Sequence, residues 1–154
     1  MPEIIHSELP GELLDFLQGE VLVFLTTVNS ETVFPHVAAV TWMLARDEKL
    51  LRFGMDPRAQ SVANISGRPE VVVMVPGPTS CFAIDGIARV GQAQLPGVTL
   101  RMIMVEVNVE RVRDVMFYGG RLTETPSYEK TYDAKLAEKF DTEVFNALRT
   151  APFE

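Results

Sequence analysis

Hydrophobic and polar positions change period several times along the chain, and each change marks an element. Leu9, Leu13, Phe16 and Leu17 fall at helical spacing, which predicts an entry helix stopped by Gly19. VLVFLTTV (21–28) is dense in β-branched and aromatic residues and ends in the turn composition NSET, so it reads as a strand. VFPHVAAVTWMLA (33–45) reads as a second strand, with Pro35 tolerated near its start or at an edge. After the turn RDEK, LLRFG forms a third. EVVVMV (70–75) and the long run CFAIDGIARVGQAQ add two more, the latter bulged or bent at Gly86 and Gly91. Between 103 and 109 the odd positions Ile103, Val105, Val107 and Val109 are apolar. Glu106 and Asn108 lie between them, predicting one buried and one wetter face. Near the C-terminus Ala137, Phe140, Val144 and Leu148 form a stripe with charges opposite, an amphipathic helix over about 133–149.

Consecutive strands with short connections, a helix at each end and a small one inside predict a mainly β fold. It is an antiparallel barrel of six strands with peripheral helices. The βαβ alternation and GxGxxG fingerprint of a doubly wound sheet are absent. A length of 154 residues fits one domain over 1–154.

Charge and cysteine content narrow the function classes. A net charge of −7 without a Lys/Arg cluster argues against nucleic acid and anionic membranes as partners. No apolar run is long enough for a membrane span, and the start has no secretory pattern, so a cytoplasmic location is expected. Cys81 is the only cysteine, and His6 and His36 belong to no metal-ligand spacing; no metal centre is expected.

The segment DPRAQSVANISGRP (56–69) lies between two strands and carries candidate chemistry. Asp56 as N-cap and Pro57 at the first helical position predict a short helix ending at Gly67. Arg58 then falls in the first turn, where the helix dipole disfavours a cation. Ser61 lies three residues on, on the same face. A guanidinium and a hydroxyl at the positive end of a helix make a receptor for a phosphate; equally, Arg58 pairs with Asp56 or Glu70. Trp42 either packs in the core or stacks on a planar ligand. Cys81 is a small apolar strand residue or, with less in its favour, a thiol nucleophile. The aromatic, aperiodic stretch MFYGGRLTETPSYEKTY (116–132) reads as a lid or a subunit contact, with Tyr118 and Lys130 as pocket candidates.

In their order, LTTV, FPHVAAVTW, SVANISGRPEVVV and DGIARV resemble the pyridoxamine 5′-phosphate oxidase-like family, the FMN-binding split barrels, over roughly residues 13–90. The resemblance implies a six-stranded split barrel and a homodimer with FMN in a groove between subunits. By position it sets Val40, Thr41 and Trp42 beside the flavin ring, and Gly54 and Met55 near the ribityl chain or phosphate. Ser61 matches a phosphate-binding lysine and Gln60 its neighbouring arginine. Cys81 matches a position where the partner subunit's glutamine reaches the flavin. On the proline-led strand, the family's arginine and lysine are replaced by Ala38 and Met43, which leaves Arg58 as a compensating cation. The implied function is an FMN-dependent oxidoreductase of unknown substrate. The alternatives are a non-enzymatic flavin- or haem-binding module, with His36 as the axial ligand, and a structural dimer without cofactor.

Overall fold

The computed structural model describes residues 5–154. Its elements are β1 (Ile5–His6), α1 (Gly11–Phe16), β2 (Val23–Val28), β3 (Pro35–Val40), β4 (Met43–Asp47), β5 (Leu50–Met55), α2 (Gln60–Gly67), β6 (Glu70–Pro76), β7 (Cys81–Val90), β8 (Ile103–Asp114) and α3 (Ala134–Thr150). All strand pairings are antiparallel, in the order β3-β2-β6-β7-β8-β5-β4, and β1 adds to β8. The two ends of this order, β3 and β4, are consecutive in the chain and separated only by Thr41 and Trp42. One extended segment therefore passes from one sheet edge to the other, and the sheet curls into a split barrel. Counting that segment once and setting aside two-residue β1 gives the six strands expected.

Alternation along each strand fills the barrel. Val23 and Leu25 of β2, Val71, Val73 and Val75 of β6, and Leu51 and Phe53 of β5 point into one core, which α1 closes with Leu13 and Leu17. From α2, Val62 and Ile65 join the same core. A second core lies outside the barrel, where Val144, Phe145 and Leu148 of α3 cover Leu44, Met102 and Met104. This corrects half of the expected wet face of β8. Its odd positions enter the barrel; of its even positions Met104 and Glu106 are buried, Glu106 being only 1 % exposed, whereas Asn108 faces solvent as expected. Burial of that carboxylate is met by charge: Arg52 Nε donates to it at 2.9 Å and Arg89 engages its other oxygen. Arg52 also donates to the carbonyls of Leu148 and Ala151, which end α3.

The bulge expected in β7 occurs at Gly86, where the register with β8 shifts. A side chain there would meet the Asn108 carbonyl oxygen at 2.7 Å, so the close approach demands glycine. Gly91 instead lies just past the strand end. The C-terminal helix begins after Asp133, whose carboxylate accepts from the Leu136 N–H at 2.9 Å. Among the described residues no helix is long and apolar enough to cross a membrane.

Candidate functional site

The inner face of β3 has no opposing strand, and that gap is the site. In register with the fully buried Val23, Leu25 and Thr27 of β2 stand Val40, Ala38 and His36. Period-two alternation carries the same face on to Trp42. These four residues form one wall of a cleft of about 490 Å³. The opposite wall comes from the end of β5 (Gly54, Met55), the turn and helix start (Asp56, Arg58, Ala59, Gln60, Ser61), and the loop before β8 (Leu100, Arg101, Met102).

Six of the residues assigned by position, Val40, Trp42, Gly54, Met55, Gln60 and Ser61, therefore share one cleft with Arg58. Thr41, though adjacent to two of them, is not among the lining residues, because its side chain leaves the strand on the other face. Cys81 opens β7 opposite Pro76, away from this cleft. Ala38 lines the wall, whereas Met43 is fully buried in the barrel core, so only one of the two neutral replacements faces the cleft. Gly54 contributes backbone: a Cβ there would point at Val144 of α3, 3.0 Å away.

The short helix begins later than its sequence predicts. Its N-cap is Ala59, and Asp56 caps no helix. Asp56 instead accepts from the Arg58 backbone N–H at 2.8 Å and from Nε and Nη2 of the same guanidinium at 3.1 and 2.8 Å. A carboxylate two residues before an arginine makes this Asx-type turn locally satisfied, and it outcompetes the helix for the backbone. Arg58 is thus not in the first turn of α2, and its partner is Asp56. The Arg58 side-chain hydrogen bonds, aided by the backbone one, bring the Asp56 carboxyl down to about 2.

At the true start of α2 the first carbonyl, that of Ala59, receives the N–H groups of Val62 and Ala63. Those of Gln60 and Ser61 stay outside the intrahelical ladder. Ser61 is 2 % exposed, lines the cleft, and its hydroxyl has no hydrogen-bond partner among the described residues. Gln60 donates to Asn64 Oδ1 at 2.8 Å, and Asn64 Nδ2 donates to the buried Thr27 hydroxyl at 2.9 Å, tying the helix to β2. At the far end of the β3 wall, His36 Nδ1 is buried without a hydrogen-bond partner.

Trp42 is half-buried and held from behind. Its Nε1 donates to Asp141 Oδ1 of α3 at 2.8 Å, and Lys130 Nζ joins Asp141 Oδ2 to Glu20 Oε1 at 2.8 and 2.9 Å. Burial tends to raise the Asp141 carboxyl, but the hydrogen bonds from Lys130 and Trp42 outweigh it and hold it below its ordinary value. Tyr118 and Lys130 do not line the cleft; Tyr118 is exposed, and Lys130 acts on it only through Asp141. The loop before β8 is fixed by Gln94, whose side chain donates to the carbonyls of Val98 and Leu100 and accepts from the Met102 N–H. Arg101, Asp141 and Gln94 escaped sequence reasoning. Each is a lone polar residue in a turn or on a helix face, and only tertiary proximity gives it a role. Among the described residues no group of three His, Cys, Asp or Glu side chains could hold a metal ion.

No family model and no curated protein matches the chain. Solved structures do. The fold superposes on a pyridoxamine 5′-phosphate oxidase-like protein from Lactobacillus delbrueckii with a TM-score of 0.63 at 19% identity, over 73% of this chain and 98% of that one. An F420 reductase matches with a TM-score of 0.53 at 18% identity, over 68% and 98%. HutZ, the haem storage protein of Vibrio cholerae, matches with a TM-score of 0.53 at 12% identity, over 70% and 96%. Fold and curled sheet together define a split barrel of the pyridoxamine 5′-phosphate oxidase-like type. In this chain the β3 wall of the cleft carries His36, Ala38 and Val40.

Proposed function

We propose that the cleft binds a planar ligand with an anionic tail, of the flavin mononucleotide kind, and that the protein is a small flavin-dependent oxidoreductase. The observation that carries this reading is the join of two surfaces. An apolar strip (Ala38, Val40, Trp42, Met55) leads to the start of α2, where buried Ser61 presents an unpartnered hydroxyl beside the free N–H groups of Gln60 and Ser61. Such a helix start accepts phosphate through backbone donors and dipole, and an aromatic wall suits a flat ring. The residues present therefore fit the group at both ends. Bound there, a flavin would supply hydride or electron transfer, and the chain's own residues would bind and orient it. A homodimer belongs to this reading, supported by the exposed apolar side chains of Val33, Phe34 and Val37 on the β2–β3 hairpin.

His36 favours a second reading, a haem-binding module. Its buried Nδ1 has no partner and lies on the cleft wall, and a neutral imidazole is a ready iron ligand.

One set of measurements tests both. Purified protein is titrated with FMN and with hemin while the melting temperature and visible spectrum are followed, and its molar mass is measured by light scattering. On the flavin reading, FMN raises the melting temperature, Ser61→Ala weakens its binding about tenfold, and the mass is that of a dimer. A hemin-dependent Soret band lost in His36→Ala, with no response to FMN, reverses the choice.

A further inference from the structure

Three sources of positive potential border the phosphate-facing end of the cleft: the start of α2, Arg58 and Arg101. Arg58 is already neutralised, since Asp56 holds its guanidinium through two side-chain hydrogen bonds and it extends into solvent, its side chain 80 % exposed. Arg101 is exposed as well and lines the same cleft, but it makes neither a hydrogen bond nor an ion pair with any described residue and acts on Asp56 only through its charge at a distance. Its backbone, in contrast, is pinned. Leu95 N–H donates to the Met102 carbonyl at 2.9 Å, and Gln94 bonds to Leu100 on one side of Arg101 and to Met102 on the other, at 2.7 and 3.0 Å. The Glu143 carboxylate of α3 accepts from the Thr99 N–H and hydroxyl at 2.8 and 3.0 Å. Leu95 and Met102 are buried beneath the loop. Because the loop is already fixed, only the side chain has to be ordered when this guanidinium meets an anion.

The geometry points to Arg101 as the residue that grips the anionic tail of the cleft's ligand and makes the site select phosphorylated planar ligands over their unphosphorylated forms. The inference rests on the planar-ligand reading above and names the cation that β3 does not supply. Guanidinium and phosphate match as bidentate partners, and charge-assisted bonds of this kind are about twice as strong as neutral ones. Ser61 and the α2 N–H groups would position the phosphate, and Arg101 would balance its charge. Asp56, on the same rim, would disfavour a second anionic group there.

Trp42, the only tryptophan, lies on the cleft wall, so its fluorescence reports occupancy directly. FMN, riboflavin and inorganic pyrophosphate are titrated against the wild type, Arg101→Ala and Arg58→Ala, with melting temperature as a second readout. The expected result is an FMN dissociation constant raised on the order of ten- to a hundredfold in Arg101→Ala. Riboflavin binding stays within about twofold, and Arg58→Ala changes FMN binding less than Arg101→Ala does. If Arg101→Ala binds FMN like the wild type, or loses FMN and riboflavin equally, the assignment is overturned while the planar-ligand reading stands. If the wild type ignores FMN and riboflavin but is stabilised by pyrophosphate only with Arg101 present, the anion site stands and the planar-ligand reading falls. Absence of any response to all three ligands overturns both.

Discussion

Trp42 shows how much one side chain depends on partners remote in sequence. Its indole meets a carboxylate 99 positions away, and that carboxylate is held in turn by Lys130. Asp141 is depressed in the folded state, because the hydrogen bonds from Lys130 and Trp42 outweigh burial. Its contribution to stability is therefore present above the ordinary carboxylate value of about 3.9 and is lost as pH falls through the lower folded value. Trp42 emission should accordingly stay constant from neutral pH down to about pH 4 and shift to the red only below it. Asp141→Ala should show the red shift already at pH 7. A wild-type shift centred near neutrality would contradict the assignment. Arg58 and Asp56 illustrate the opposite case, a pair so close in sequence that each satisfies the other before any fold is needed.

At the scale of elements, the cleft is assembled by α3 and by the loop it supports. Val144 sits over Gly54, Glu143 anchors Thr99, and Asp141 aims Trp42, three contacts made from a single turn of α3. The loop itself has no repeating backbone pattern; the Gln94 side chain substitutes for one. Gln94→Ala removes a donor used by several carbonyls and an acceptor used by the Met102 N–H, leaving backbone groups to find water. It should cost about 2 kcal/mol of stability and raise hydrogen exchange over 95–102 while leaving the β6–β7 amides protected. Uniform loss of protection across the barrel would mean that the loop is part of the cooperative core.

For the molecule as a whole, the joint between barrel and α3 is ionic as well as apolar. Glu106 lies between Arg52 and Arg89, Arg52 caps the end of α3, and Arg89 stacks on Phe153 at 4.0 Å. Removing one member of a buried set leaves charge uncompensated, typically about 3–5 kcal/mol. Glu106→Ala should thus lower the melting temperature on the order of 10 °C, measured by calorimetry. A charge-free replacement of all three residues by well-packed apolar ones should recover much of that loss. If Glu106→Ala melts like the wild type, the ion cluster is not what joins the two cores.

What the sequence by itself determined was the local order. Its periodicities mark the strands, with β3 and β4 read as one, the C-terminal amphipathic helix starting near Asp133, and the bend at Gly86, because these follow from side-chain alternation and sterics between near neighbours. The order of the segments also pointed to a split barrel. Only the tertiary structure decided the rest. The break at Thr41–Trp42 arises because one extended segment must serve two sheet edges. Glu106 reads as a wet-face residue until α3 covers it. The late start of α2 is by contrast a local outcome that the segment's pattern also allowed, since Asp56 and Arg58 close their own turn first. The candidate cleft shares that division. Val40, Trp42, Gly54, Met55, Gln60 and Ser61 lie on segments whose pattern is legible, whereas Arg101 and Asp141 reach it by packing of distant chain, which no local pattern encodes.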